Sequence, residues 1–227
     1  MKTGSRCLEL VPPIPDARSG KGSMVLAYGG GLDTSCILVW MKEQGYDVIA
    51  YLANTGQKED FEEARKAALK LVAKQVFTED VIREFVEEFI WPAIQSSTLC
   101  EDCYLLGTPL ARSCIASKQV EIVQQERVPT APRIKVIELW RMPEFYNQFK
   151  GSNELMEYTK QHGIPIPVTP KNPWSMDENL MHISREAGTL ENPKNQVPPG
   201  LYTKTQEPAK ALNTPDILEI EFKKRSL

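Results

Sequence analysis

Histidine is nearly absent from this chain, with two in 227 residues, and cysteine is sparse, with five. The cysteines are odd in number and irregularly placed, which argues against a disulfide framework and for a reducing compartment. No apolar run approaches the roughly 20 residues that a membrane-spanning helix needs. Leu8-Glu9-Leu10-Val11 is too short and too charged for a secretory signal core, and Pro12-Pro13 interrupts it. A basic excess is missing too. With a net charge of −3 the chain is not expected to bind nucleic acid or anionic membranes, and the cytoplasm is the expected location. No internal repeat is present. What remains is a composition of 41% apolar and 25% charged residues, ordinary for a globular protein. Its length suits one good-sized α/β domain with an appendage.

Against that background one stretch stands out, Val25-Leu-Ala-Tyr28-Gly-Gly-Gly31-Leu-Asp-Thr-Ser35. A short apolar run suited to a buried strand leads into three glycines, then into helix-starting Asp33, Thr34 and Ser35. Gly45 stands where the helix would stop. Glycines let backbone approach an anion without a Cβ in the way. The free N–H groups of the following helix, with its dipole behind them, aim at the same spot. Thr34 and Ser35 add candidate hydroxyl donors. The pattern lacks the lysine of G-x-x-x-x-G-K-[ST], and Thr34 stands where G-x-G-x-x-G needs its last glycine. A strand–loop–helix phosphate site is the expectation.

Around this loop strands and helices alternate, which predicts an open parallel α/β sheet with flanking helices. Strands are expected at Tyr46 to Ala53 and Gln75 to Thr78, with a helix over Glu59 to Val72 between them. Asp80 caps a further helix ended by Pro92. Leu110 to Glu126 is helical, and the strand that should follow meets two prolines, Pro129 and Pro132, which no central strand accommodates. Ile134 to Ile137 and Asp216 to Phe222 read as strands, and Gly163 stops a helix ending at His162. Residues 1–20, rich in Pro, Gly and Ser, are expected to be a disordered extension. Residues 21–163 are expected to form the nucleotide-binding α/β domain, and 164–227 the incomplete start of a second domain.

The glycine loop resembles the S-G-G-x-D-[ST]-S loop of ATP pyrophosphatases, and Lys21 to about Lys224 resembles the amino-terminal half of the argininosuccinate synthase family. Tyr51-Leu-Ala-Asn54, Glu84 to Pro92, Trp140-Arg-Met-Pro-Glu-Phe145 and Asn172-Pro-Trp-Ser-Met-Asp-Glu-Asn179 carry the likeness. The resemblance implies an adenine nucleotide alpha hydrolase-like (HUP-type) fold and use of ATP, with magnesium as the phosphate counter-ion. It implies a ligase that joins citrulline to aspartate. The citrulline ureido oxygen attacks the α-phosphorus, pyrophosphate leaves, and the aspartate amine displaces AMP. Positioning and charge stabilisation dominate such chemistry, and no catalytic side chain is singled out.

Carried over by residue, the resemblance assigns ATP to Ala27, Tyr28, Gly29, Gly30, Gly31, Leu32, Asp33, Thr34, Ser35 and Ala53. It assigns citrulline to Tyr104, Pro109, Ser175 and Ser184. Two positions depart from the family pattern. Gly29 replaces a serine, and one hydrogen bond to a charged group is worth about 1.5–3 kcal/mol, so ATP affinity is expected to fall roughly ten- to a hundredfold. Pro109 replaces another serine and lacks both hydroxyl and N–H. The second glycine-rich loop of the family, which contacts ATP and aspartate, has no counterpart between Gln124 and Ile134. No aspartate-binding residue is therefore assigned. The strand before that loop is missing with it, leaving Val25 to Tyr28 short of a neighbour at about 1–3 kcal/mol per unsatisfied buried group. The carboxy-terminal half, which completes the citrulline site and the family homotetramer, is also unmatched, so neither tetramer nor full turnover is expected. Weak or absent turnover leaves two alternatives. One is a non-catalytic relative or decayed gene product with residual ATP or citrulline binding. The other is a redox or zinc protein built on Cys100-Glu-Asp-Cys103, although no second cysteine pair accompanies it and both histidines, His162 and His182, lie far away. Two exposed or half-buried thiols is the plainer account, and His182 is expected to pack on a helix. No metal ligands are assigned.

Overall fold

The computed structural model describes residues 9–11, 21–71, 73–126, 135–165, 175–186, 188–198 and 200–221. Its centre is β2 (Gly22–Ala27), α1 (Leu32–Glu43) and β3 (Tyr46–Asn54), followed by α2 (Phe61–Lys70) and β4 (Gln75–Asp80). Strands β2, β3 and β4 are parallel, with Val25 opposite Ile49 and Ile49 opposite Gln75. β3 lies in the middle and is buried from Val48 to Ala53, the continuous apolar reading of a strand covered on both faces.

Alternation along the strands divides the core. Met24, Leu26, Val48, Ala50 and Leu52 face α1 and the aromatic residues Phe145, Phe149 and Tyr158. These come from α6 (Pro143–Gln148), the residue after it, and α7 (Ser152–His162). Val25, Ile49, Tyr51 and Ala53 face the other way, toward Phe85 and Ala111, Cys114, Ile122 and Val123 of α5 (Gly107–Gln125). Gly163 ends α7 in the left-handed conformation, φ +62°, as its place in the sequence predicts. The Trp40 indole donates to Gln148 Oε1 at 2.9 Å and ties α1 to this layer.

Expectations are corrected in four places. Pro92 does not end its helix. The chain passes from α3 (Ile82–Glu84) through a wide turn, Phe85–Ile90, into α4 (Trp91–Gln95), and Trp91 donates to the Val86 carbonyl five residues back. That wider register makes room for a ring with no N–H to give. Asp80 ends β4 one residue before the N-cap, Val81, so it is not the cap expected, although its Oδ1 accepts from the Ile82 amide at 3.0 Å. Second, residues 216–221 form no strand and are exposed; alternation supplies a pattern, not a partner strand. Third, residues 1–20 are not wholly an extension, since Glu9–Val11 form β1 within the sheet.

The last correction follows from the third. The sheet order is β4-β3-β2-β1-β7, where β7 is Lys135–Ile137. Beside β2, where a parallel strand was expected to be missing, β1 runs antiparallel with Leu10 opposite Val25. The buried Gln119 side chain donates to the Val25 carbonyl at 3.4 Å. Residues 127–134, where the gap falls, lie outside the described residues. Among the described residues no helix is long and apolar enough to cross a membrane.

Candidate functional site

The carboxyl ends of the parallel strands converge on the glycine loop. Ala27 closes β2, and the Tyr28 amide donates to the Tyr51 carbonyl at 2.8 Å, holding the loop's first residue against β3. Gly29 is exposed and Gly30 to Thr34 are partly exposed, so the loop opens outward. A Cβ built at Gly29 or Gly31 would meet nothing within 4 Å, which leaves open space for an anion above both. Gly30 has φ +65°, a conformation that favours glycine. Gly31 precedes α1 with no side-chain cap, so the first N–H groups of that helix stay available.

The loop's side chains divide. Ser35 is buried and its Oγ lies 3.1 Å from the Tyr28 hydroxyl, so here the two hydroxyls are engaged with each other. Thr34 Oγ1 reaches back to the Gly31 carbonyl at 3.4 Å. Two carboxyls flank the site. Asp33 sits in the first turn of α1, and burial raises its pKa above the usual carboxylate value. Burial raises Glu59 as well, partly opposed by the hydrogen bond from Gln57. Glu59 Oε1 lies 3.7 Å from where a Gly30 Cβ would stand. The Tyr28 hydroxyl is raised chiefly by burial. Ala53 is buried, and its carbonyl accepts from the Gln57 side-chain Nε2 at 2.8 Å. Glu59 and Gln57 escaped sequence reading, because their acidic neighbours made the segment look like a solvated helix start.

Two of the citrulline candidates, Tyr104 and Pro109, lie at the start of α5, and the other two lie in a hairpin that docks there. Tyr104 lies exposed in β6 (Tyr104–Leu105), which pairs with β5 (Leu99–Cys100). Pro109 is the third residue of α5, where a missing N–H leaves the helix intact. Ser175 begins β8 (Ser175–Glu178), and Ser184 lies in β9 (Ile183–Glu186) opposite Asp177. Between those strands Asn179 folds the turn. Its Oδ1 accepts from the Met181 and His182 amides, while its Nδ2 donates to the Gly107 carbonyl at 3.2 Å. His182 Nε2 lies 2.8 Å from Thr108 Oγ1, and its ring meets that of Tyr104 edge-on at 6.0 Å. Arg112 pairs with Asp177 at 3.6 Å.

His182 is therefore a hairpin residue; the expected helix is corrected. A Cβ at Gly107 would fall 1.8 Å from the His182 ring, so only glycine admits this docking. The same turn reaches the nucleotide side, where the Leu180 amide donates to the Thr55 carbonyl at 2.8 Å, two residues past Ala53. The contacts of Thr108, Asn179 and His182 carried no sequence signal, because their partners lie some seventy residues away in the chain.

Comparison with known proteins follows the same division. A family model described as "Arginosuccinate synthase N-terminal HUP domain" matches residues 23–130, and one described as "Arginosuccinate synthase C-terminal domain" matches 174–226. The chain belongs to the argininosuccinate synthase family. It is 75% identical to argininosuccinate synthase of Homo sapiens, 74% to that of Rattus norvegicus and 58% to that of Danio rerio, over 91%, 91% and 90% of its length. It spans 55% of each of those relatives. The human alignment runs to 228 residues on 91% of 227, so that relative carries about twenty residues within the matched span that this chain lacks. The crystal structure of an NAD+ synthetase from Burkholderia pseudomallei overlaps 46% of this chain and 41% of its own, at TM-score 0.31 and 16% identity, too slight a likeness to carry any argument. The parallel sheet and the HUP-domain match give an adenine nucleotide alpha hydrolase-like fold.

Proposed function

We propose that this chain is an ATP-binding, citrulline-binding relative of argininosuccinate synthase with weak or absent turnover. The observation that carries the reading is the outward-facing glycine loop before an uncapped helix, at the carboxyl edge of a parallel sheet. Backbone amides of Gly29 to Asp33 would hold the phosphates, and Ala53 would lie along the adenosine. Asp33 and Glu59 are oxygen donors of the hardness that magnesium prefers, and a cation there would relieve the cost of holding two partly buried carboxyls beside a polyphosphate. Tyr104, Ser175 and Ser184 would contact citrulline, with Pro109 as the weakened position. The reaction of this reading is ATP-dependent joining of citrulline and aspartate, giving argininosuccinate, AMP and pyrophosphate. Support for impairment comes from Gly29, Pro109 and the shortened matched span. The matches at 23–130 and 174–226 support a nucleotide unit over 21–163 followed by the beginning of a second unit from 164. Neither aspartate binding nor a tetramer is proposed, and the cytoplasm is the proposed location.

Calorimetry with ATP and magnesium tests the nucleotide site, with Gly29→Ser as the comparison. Space for the new Cβ is open and Gly29 is not left-handed, so the variant should fold unchanged. Its ATP affinity should rise about tenfold to a hundredfold, the worth of one hydrogen bond to a charged group. Equal affinities for both proteins would remove the phosphate contact at this position, and absence of binding to either would remove the nucleotide reading. Pyrophosphate release dependent on both citrulline and aspartate, at the rate of a full-length relative, would overturn the impairment.

A further inference from the structure

Cys100 and Cys103 lie outside the groups assigned above, and both are exposed. They bracket the turn between β5 and β6. The Cys103 amide donates to the Cys100 carbonyl at 3.2 Å. Between them Glu101 and Asp102 are both left-handed, with φ +52° and +57°, although neither is glycine. Such a conformation is uncommon for these residues and is held only where the surroundings fix it. A four-residue turn keeps its end Cα atoms within about 7 Å, and a disulfide needs them about 4.4–6.8 Å apart. Cys103 Sγ lies 3.9 Å from the Cys100 carbonyl oxygen, so the side chain already leans across the turn toward its partner residue. The other described cysteines are placed differently. Cys36 and Cys114 are buried in opposite faces of the sheet, and burial pushes their thiols up to about 12 and about 11.

We propose that Cys100 and Cys103 form a dithiol–disulfide site that is closed by a low-molecular-weight disulfide such as glutathione disulfide. One cysteine thiolate attacks a sulfur of the small disulfide, breaking its S–S bond and expelling one thiol. The other attacks the protein sulfur of that mixed disulfide and expels the second thiol. Two protons and two electrons leave the protein, and the small disulfide is reduced to two thiols. The new bond straddles the turn one residue before Tyr104, whose partner across the hairpin is Cys100 itself. Oxidation therefore stiffens the strand that meets His182. This inference needs neither ATP nor citrulline to bind.

The test uses the whole chain with Cys7→Ser, which removes the one cysteine outside the described residues. Protein is equilibrated in glutathione disulfide and glutathione, quenched with acid, alkylated and mapped by mass spectrometry. The expected product has lost two hydrogens, carries no glutathione and is blocked to alkylation at both Cys100 and Cys103. Cys100→Ser and Cys103→Ser should instead each retain one glutathionyl group. The folded chain should half-close at a disulfide-to-thiol ratio about tenfold lower than the same chain in urea, the gain from a turn that holds the thiols together. Backbone hydrogen exchange from Leu99 to Leu105 should slow on closure. Two glutathionyl groups on the parent, free thiols where the single variants are modified, or equal closure in urea and in buffer would each overturn the proposal.

Discussion

Tyr51 carries its hydroxyl into the apolar layer beneath α5 and finds no hydrogen-bond partner there among the described residues. Burial, then Glu79, raises its pKa, so the group stays neutral. A buried unpaired polar group costs about 1–3 kcal/mol, and Tyr51→Phe removes it with little change of shape, so urea denaturation should show the variant more stable by about 1 kcal/mol. Asp33 has its own signature. Its pKa is higher folded than unfolded, so its contribution is fully present below the ordinary carboxylate value and is lost as pH rises through the raised one. Thermal melts from about pH 4 upward should therefore show Asp33→Asn gaining on the parent as pH increases. A constant difference would show that burial does not burden the charged form. Neither effect could be read from the chain. Tyr51 sits in a run whose period says only that it is buried, and Asp33 looks like an ordinary helix-start acid.

At the scale of elements, the docking of the β8–β9 hairpin on α5 is the arrangement most open to challenge. Gly107→Ala drives a methyl into the His182 ring, so the hairpin must lift or the helix start must shift. Limited proteolysis within 179–182 should then accelerate, and the loss of the Thr108 and Asn179 hydrogen bonds should cost about 1–3 kcal/mol. Thr108→Val, which keeps the volume and removes the hydroxyl, should give a smaller loss. The elements themselves were largely legible. α1 follows from its helix-starting residues and from Gly45 just past its end, α2 from periodicity, and α7 from Gly163. What escaped was whatever depends on a partner. Residues 216–221 alternate but have no neighbour among the described residues, and Pro92 is tolerated because the preceding turn widens.

Over the whole molecule the α/β class was legible, since continuous apolar runs alternating with amphipathic helices have few other solutions. The strand order at the β2 edge was not, because proline-rich flanks hid β1. Deleting residues 1–12 should expose that edge, lower the unfolding midpoint and promote self-association, to be checked by denaturation and sedimentation. Unchanged behaviour would mean that β1 adds nothing to the sheet.

The position of β1 also sets an order of events. Leu10 and Val25 are close along the chain, so the loop that joins them is cheap to close. Its other neighbour, β7, arrives more than a hundred residues later. During synthesis the first two strands can therefore pair as soon as they leave the ribosome, and β3 later joins the opposite edge of β2. A nascent chain born with its own edge guard is shielded from its neighbours on the same message while the rest of the sheet is still being made.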